Sequence, residues 1–125
     1  MIARPSALVE QVIGCAIEVH RTLGPGLLES SYEACLVLEL TEKGLPFRRQ
    51  VTIPINYKGL KIQCGYRLDL LVEDTLPVEL KSVDKLSPIH RAQMLTYLKL
   101  LDLHHGFVIN FNELRLVDGL MSVLR

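Results

Sequence analysis

Residues 66–81, which read YRLDLLVEDTLPVELK, place charged side chains inside two short apolar runs on either side of a turn. Asp69 interrupts the first run, and Glu79 and Lys81 interrupt the second. A charge inside an apolar strand costs free energy unless a partner compensates it. Residues two apart in a strand share a face, so Glu79 and Lys81 point the same way. If the two runs pair as a hairpin, Asp69 lies nearly opposite Glu79, and two carboxylates and an amine share one patch.

Two interpretations of this patch are open. A lone Glu-x-Lys on a strand is most often a surface salt bridge. Asp69 adds a second carboxylate at the matching register, and two facing acids repel each other unless a cation or a proton intervenes. Carboxylate oxygens suit Mg²⁺ or Mn²⁺, and a nearby lysine suits the handling of a water or a phosphate. The pattern therefore favours a metal site.

The periodicity of the rest of the chain predicts the element order α-α-β-β-β-α-β followed by an ambiguous tail. Apolar residues at three- and four-residue steps predict a helix after the cap Ser6, and Leu23-Gly24-Pro25-Gly26 ends it. The remaining predicted elements are a helix over 27–43, strands over 51–55, 60–72 and 76–83, a helix over 87–101 with Pro88 at its first position, and a strand over 107–111. This is a single mixed α/β domain over 1–125, with one sheet and packed helices.

Composition and charge limit the kinds of binding partner and the cellular location that we expect. Lys and Arg together number 14 and so do Asp and Glu, which argues against a protein that grips nucleic acid by bulk charge alone. A local basic groove remains compatible with that balance. No signal peptide and no apolar stretch of membrane-spanning length is visible, so we expect a cytoplasmic protein without membrane contact. Cys15, Cys35 and Cys64 have neither finger nor redox spacing, and we expect buried reduced thiols.

Four further residues carry little information when each is taken alone. Glu29 lies in the first turn of the second helix, where an acid is mildly stabilising, and Tyr32 lies three residues on. Gln93 and Tyr97 are four apart on the third helix and therefore share a face. Each of these has an ordinary structural interpretation: a helix-dipole acid, a half-buried tyrosine, and a polar stripe beside a core tyrosine.

Taken together, these motifs resemble those of the GxxExxY family of small bacterial and archaeal proteins, over nearly the whole chain. The naming motif is Gly26-Leu27-Leu28-Glu29-Ser30-Ser31-Tyr32. The other matching segments are Gln50, YKG at 57–59, YRLDLLV at 66–72, VELKSV at 78–83, AQMLTYLK at 92–99 and NFN at 110–112. Each motif is weak alone, but their order and spacing are specific.

That family is similar to the PD-(D/E)XK nuclease superfamily. The resemblance implies a restriction-endonuclease-like αβββαβ core with an additional N-terminal helix. It implies that Asp69 is the acid of the second strand, that Glu79 and Lys81 form the Glu-x-Lys of the third, and that Glu29 is the helical acid. Gln93 and Tyr97 resemble the Gln-x-x-x-Tyr pattern of the recombination-nuclease branch, where both residues support the site.

The leading hypothesis is metal-dependent hydrolysis of a nucleic-acid phosphodiester, and we expect the nucleic acid to be DNA. Asp69, Glu79 and the backbone carbonyl of Leu80 would hold Mg²⁺ or Mn²⁺, and Glu29 would complete the shell directly or through water. Lys81 would position water or stabilise phosphate, Gln93 would orient Lys81 or the water, and Tyr97 would touch the substrate backbone. Candidate phosphate contacts, most of them equally consistent with solvated surface, are Arg48, Arg49, Lys58, Lys61, Arg67, Lys85 and Arg91.

Two alternatives stay open at this point. One is a non-catalytic module on the same fold that binds nucleic acid or a protein. The other is a metal-dependent hydrolase of a smaller phosphoester, because such a core recognises a phosphate and not its owner. A nuclease of this size often needs a second subunit to cut both strands, which makes a homodimer plausible.

Overall fold

The computed structural model describes residues 5–63 and 65–125, with the side chains of residues 5 and 6 left out. Within this part the elements are α1 (Pro5–Leu23), α2 (Glu29–Glu42), β1 (Phe47–Thr52), β2 (Ile55–Tyr57), β3 (Leu60–Ile62), β4 (Arg67–Val72), β5 (Leu76–Lys81), α3 (Pro88–Leu101), β6 (His105–Asn110), a 3₁₀ turn (Leu116–Gly119) and β7 (Leu120–Leu124). None of the helices in this part is long and apolar enough to span a bilayer.

Five strands form one mixed sheet in the order β1-β4-β5-β6-β7. β5 and β6 are parallel and are connected through α3, whereas the other neighbouring pairs are antiparallel. The order α2, β1, β4, β5, α3, β6 is the predicted αβββαβ core, and α1 is the additional N-terminal helix. The predicted mixed α/β fold, with helices flanking one mixed sheet, is therefore confirmed.

Side-chain alternation along β5 decides which face of the sheet carries the charged residues. Leu76, Val78 and Leu80 are buried in the core layer formed with α1 and α2. The opposite layer packs α3 against the sheet through residues that include Met94 and Leu98. Because neighbouring strand residues point to opposite faces, Glu79 and Lys81 lie on the side of the sheet that α3 covers.

The structure corrects the extended region between α2 and β4. The strand predicted over 51–55 begins at Phe47 and ends at Thr52, and the strand predicted over 60–72 is two strands. β2 and β3, which follow β1 and precede β4 in the sequence, form a separate two-stranded sheet. Its turn has positive φ at Lys58 and Gly59, 50° and 81°, the pattern that a two-residue hairpin turn of type I′ requires. The sequence indicates a turn at 56–59 and, at Gly65, a bulge or bend before Tyr66, but it does not indicate that β2 and β3 form a separate sheet.

Other helices and strands differ from the prediction only at their ends or in the tail. The strand predicted to reach residue 83 ends at Lys81, and the ambiguous tail forms β7, which pairs antiparallel with β6. α1 already includes Pro5, so Ser6 lies within the helix rather than before it, and its side chain lies outside the described residues.

The cysteines follow the prediction only in part. Cys15 is buried, and burial raises the pKa of its thiol. Cys35 is free but half-buried. Cys64 lies outside the residues that the structure describes.

Candidate active site

Asp69 and Glu79 interlock β4 and β5 at the point where the backbone ladder between the strands ends. The ladder runs from Val72↔Leu76 to Leu70↔Val78. Beyond it, the Asp69 N–H donates to Glu79 Oε1 over 2.8 Å, and the Leu80 N–H donates to Asp69 Oδ2 over 2.8 Å. Each carboxylate thus accepts a backbone N–H from the opposite strand. The structure places the two acids opposite each other and brings their carboxylates together between the strands.

The electrostatics of this pair disfavour two bare anions. Glu79 is only 8% exposed. Burial, and then the negative charge of Asp69, raise the pKa of Glu79 to about 7. Burial likewise raises the pKa of Asp69, although the hydrogen bond from the Leu80 N–H opposes the shift. A proton or a cation is the partner that two such close carboxylates need.

Lys81 lies on the same face as Glu79, two residues further along β5. Its Nζ is 4.0 Å from Glu79 Oε2, and its side chain is half-buried. The positive charge of Lys81 lowers the pKa of Glu79 but does not outweigh burial and the charge of Asp69. The lysine is therefore close enough to act on a group bound at the carboxylates without neutralising both acids.

Glu29, the first residue of α2, reaches the end of β5. Its Oε2 accepts a hydrogen bond from the Ser82 N–H over 3.1 Å, and its negative charge contributes to the raised pKa of Glu79. The Ser82 hydroxyl donates to the Leu27 carbonyl over 2.6 Å. The start of α2 is thus joined to the residue that follows Lys81, so the helical acid lies at the edge of the patch.

Tyr32 fixes the loop that presents Glu29. Its hydroxyl donates to the Gly24 carbonyl over 2.6 Å and accepts from the Leu27 N–H over 3.2 Å. Its ring is fully buried and stacks on Phe111, with centroids 4.4 Å apart. The spacing of the Gly-x-x-Glu-x-x-Tyr motif has a physical explanation here: the tyrosine ties down the turn from which the acid projects.

The two α3 residues differ in how they relate to the patch. The Tyr97 hydroxyl donates to the Arg67 carbonyl over 3.2 Å. Burial, followed by the charges of Glu79 and Asp69, raises the pKa of Tyr97 to about 12. Gln93 is exposed, and within the described part of the chain no hydrogen bond involves its side chain. The structure brings Tyr97 to the carboxylates but does not join Gln93 to them.

A network that the sequence interpretation missed joins α2 to Asp69. Glu33 is 8% exposed and accepts hydrogen bonds from Arg49 Nε over 3.1 Å and from Gln50 Nε2 over 2.7 Å. The same Gln50 nitrogen lies 3.3 Å from Asp69 Oδ1. Gln50 adopts φ 49°, a left-handed conformation that is unusual for a residue with a side chain. One signal was available, because Glu33 lies four residues after Glu29 on the same helical face.

The side chains available as metal ligands limit which ions this site can bind. Within residues 5–63 and 65–125, no group of three or more His, Cys, Asp and Glu side chains is arranged to hold a metal ion. The patch therefore offers two carboxylates, and backbone carbonyls or water would have to supply the other oxygens of a divalent cation. Mg²⁺ keeps several waters and is often held by one or two carboxylates, so the pair fits such an ion.

Comparison with known proteins identifies a family for the chain. A family model described as the PD-(D/E)XK nuclease superfamily matches residues 6–122. No match to the chain was found among curated proteins or among solved structures. Nucleases of the matching superfamily generally use divalent metals such as Mg²⁺ or Mn²⁺. With nearly its whole length matched, the chain belongs to the PD-(D/E)XK nuclease superfamily.

Proposed function

We propose that this protein is a Mg²⁺- or Mn²⁺-dependent nuclease that hydrolyses phosphodiester bonds in DNA, and that it belongs to the GxxExxY branch of its superfamily. The observation that carries the proposal is the interlocked carboxylate pair of β4 and β5 with Lys81 beside it. A salt bridge alone needs one acid and one base. The second acid, Asp69, is half-buried and its charge raises the pKa of Glu79, and a cation between the two carboxylates would offset this repulsion.

Asp69 and Glu79 are the proposed metal ligands, together with the backbone carbonyl of Leu80. Glu29 is the proposed outer member of the shell, because its Oε2 already accepts the Ser82 N–H and leaves Oε1 for a water or the ion. A bound metal ion would supply an activated water and offset the charge that develops on the phosphate. Lys81 would orient that water or contact a phosphate oxygen.

The α3 residues receive supporting roles in this proposal. Tyr97 holds the start of β4 through the Arg67 carbonyl, and it lies near enough to the carboxylates for their charges to raise its pKa. It can therefore position Asp69 and touch the substrate backbone. Gln93 would reach the substrate or Lys81 only from the exposed side of α3, so its role depends on what binds there.

A non-catalytic nucleic-acid-binding module is the second candidate, and one observation favours it. The described residues contain no cluster of three metal-binding side chains, whereas a nuclease site with three acids in place would need fewer ligands from water and backbone. In that case the carboxylates would form a structural network between β4 and β5.

One assay separates these functions. The purified protein is incubated with Mg²⁺ or Mn²⁺ and with single-stranded, double-stranded and branched DNA, the matching RNAs, and a small phosphodiester, beside Asp69→Asn. We expect metal-dependent cleavage of DNA that the substitution abolishes. Cleavage that survives Asp69→Asn would exclude the proposed site. No cleavage, with no metal binding by calorimetry, would favour the non-catalytic module, and cleavage of the small phosphodiester alone would favour a small-molecule hydrolase.

Gln50 provides a further prediction about the same site, with a matched pair of variants. Gln50→Ala and Gln50→Gly both remove the amide that joins Glu33 to Asp69, and both should lower the cleavage rate by about tenfold to a hundredfold, as for other groups that orient a ligand. Only glycine adopts the left-handed backbone without strain, so Gln50→Gly should be more stable than Gln50→Ala by about 1 kcal/mol. Cleavage kinetics and urea unfolding measure the two effects. Full activity in Gln50→Ala would show that Asp69 does not depend on this amide.

A further inference from the structure

The β2–β3 ribbon, residues 55–62, presents an apolar face to solvent. Its register pairs Tyr57 with Leu60 and Ile55 with Ile62, and all four side chains lie on one face because they alternate with Asn56 and Lys61. Tyr57 is 56% exposed and Leu60 is 66% exposed. The ribbon is its own two-stranded sheet and does not join the main sheet. A two-stranded hairpin alone is marginally stable in water, so an apolar face of this kind suggests a binding partner.

The charge of the ribbon selects the kind of partner. The segment from Gln50 to Leu68 contains Lys58, Lys61 and Arg67 and no acid, although the chain as a whole is neutral. None of these three cations forms an ion pair within the part of the chain that the structure describes. By contrast, Arg48 and Arg49 just before the segment are paired with Asp74 and Glu33. The unpaired cations favour a polyanion.

Aromatic and cationic groups are combined at the tip of the ribbon. Lys58 Nζ lies 5.3 Å from the centroid of the Tyr57 ring. Tyr66, at the base, is also exposed. Exposed aromatic rings interleaved with lysines are the combination that binds single-stranded nucleic acid, with bases stacked on the rings and phosphates held by the cations.

The base of the ribbon adjoins the carboxylates. Thr52 pairs with Arg67, and the Ile53 N–H donates to the Tyr66 carbonyl over 2.9 Å. Arg67 is two residues from Asp69, which corresponds to about 7 Å along a strand. Tyr97, whose pKa the carboxylates raise, hydrogen-bonds to Arg67 itself. A nucleic-acid strand bound at Asp69 would therefore lie next to the ribbon.

We propose that the β2–β3 ribbon is a nucleic-acid-binding arm that holds a single-stranded segment beside the carboxylates. An unpaired base stacks on Tyr57, and Lys58 and Arg67 contact the flanking phosphates. This inference rests on the proposed nuclease function and adds a substrate class to it, namely nucleic acid with unpaired bases next to the scissile bond.

A second copy of the chain fits the ribbon less well. Pairing two ribbons through their apolar faces would bury Lys58, whose Nζ lies 5.3 Å from the centroid of the Tyr57 ring, with no acid in either ribbon to compensate. Burial of an uncompensated charge destabilises such a pairing. The charge that opposes self-association is the charge that favours a phosphate backbone.

Binding of DNA in the presence of EDTA, which removes the metal ion needed for the proposed cleavage, tests the arm separately from cleavage. Fluorescence anisotropy is measured with a labelled single-stranded DNA oligonucleotide and with a blunt duplex of the same length. Tyr57→Ser should weaken binding of the single strand about tenfold, whereas Tyr57→Phe should retain it, since base stacking on an aromatic ring is lost only in the serine variant. Lys58→Gln should reduce the slope of log K against log salt by about 0.7. Leu114→Ser, which changes a residue that is 90% exposed and outside the ribbon, should bind as the wild type does.

Three results would overturn the inference. One is that Tyr57→Ser binds the single strand as tightly as the wild type does. Another is that both the wild type and Tyr57→Ser bind the duplex more tightly than the single strand. The third is a wild-type dimer in sedimentation that Tyr57→Ser dissociates, because the ribbon would then be a subunit interface. The cleavage assay separates this failure from failure of the proposed function. If the wild type cleaves DNA while Tyr57→Ser binds and cleaves equally well, only the arm is wrong, and if the wild type neither binds nor cleaves, both proposals fail.

Discussion

Replacing Glu79 by glutamine is expected to lower cleavage about a thousandfold and, in the same variant, to make the metal-free protein more stable above pH 7. The first effect follows because the substitution removes one of the two carboxylates proposed to hold the metal ion, and with it the activation of water by that ion. The second follows because Glu79 is buried beside Asp69, and both features raise its pKa to about 7.

The sign of the pH effect follows from the protons bound in each state. Glu79 has its ordinary pKa of 4.5 when the chain is unfolded and a pKa of about 7 when it is folded. Between these values the folded state binds more protons, so the free energy of unfolding of the wild type falls as the pH rises. The full loss from this group is about 3 kcal/mol. Glu79→Gln cannot titrate and should lose most of this slope, and the raised pKa of Asp69 leaves a smaller slope of the same sign.

Urea unfolding at pH 5 and pH 8 in EDTA measures this prediction, and calorimetry with Mg²⁺ tests the metal. Glu10→Gln is the matched control, since Glu10 is an exposed acid on α1, and it should change neither the slope nor the cleavage rate. Added Mg²⁺ should raise the stability of the wild type at pH 8 and leave Glu79→Gln nearly unchanged. A wild type that becomes more stable between pH 5 and pH 8 would contradict the assignment of Glu79.

The sequence alone predicted that Asp69 and Glu79 face each other in the candidate site, because that placement depends on local rules. Charges inside apolar runs predicted a hairpin with partners, and the period-two alternation of strands predicted which residues face each other. The structure places Asp69 opposite Glu79 with its carboxylate bound to the Leu80 N–H. The mixed α/β layout followed in the same way from element order and βαβ connection rules.

The network around Glu33 could not be predicted in this way. The role of Glu33 depends on how α2 packs against β1, which joins residues 17 positions apart through Gln50. On a helix surface, such an acid usually indicates a solvated side chain. The left-handed backbone of Gln50 is equally invisible, because local preference assigns that conformation to glycine or asparagine. Tertiary contacts overrode both local patterns.

Gln93 shows the limit of a shared helical face. Residues four apart differ by about 40° around the helix, so one can be buried while the other lies at the border with solvent. Tyr97 is buried against the sheet and Gln93 is exposed. The spacing of four predicted a common face correctly but did not predict a common environment.

Lys81→Met is expected to lower cleavage about a hundredfold or more, since it removes a positive charge aimed at the reacting phosphate, yet to leave metal binding at least as strong as in the wild type. Its effect on the metal-free protein is opposite to that of Glu79→Gln. Lys81 lowers the pKa of Glu79, so its loss should destabilise the fold at pH 8 by about 1 kcal/mol. At pH 5, where Glu79 is protonated, the same substitution should cost almost nothing.

A double-mutant cycle connects these two predictions. If Lys81 acts on stability through its charge 4.0 Å from Glu79 Oε2, then Lys81→Met should cost little in a protein that already carries Glu79→Gln. The coupling energy should be about 1 kcal/mol at pH 8 and near zero at pH 5. Absence of coupling at pH 8 would show that the two groups are neighbours without an ion pair. Loss of metal binding in Lys81→Met would show that the lysine supports the site rather than acting on the phosphate, because the charge of an ammonium group repels a bound cation and its removal should strengthen metal binding.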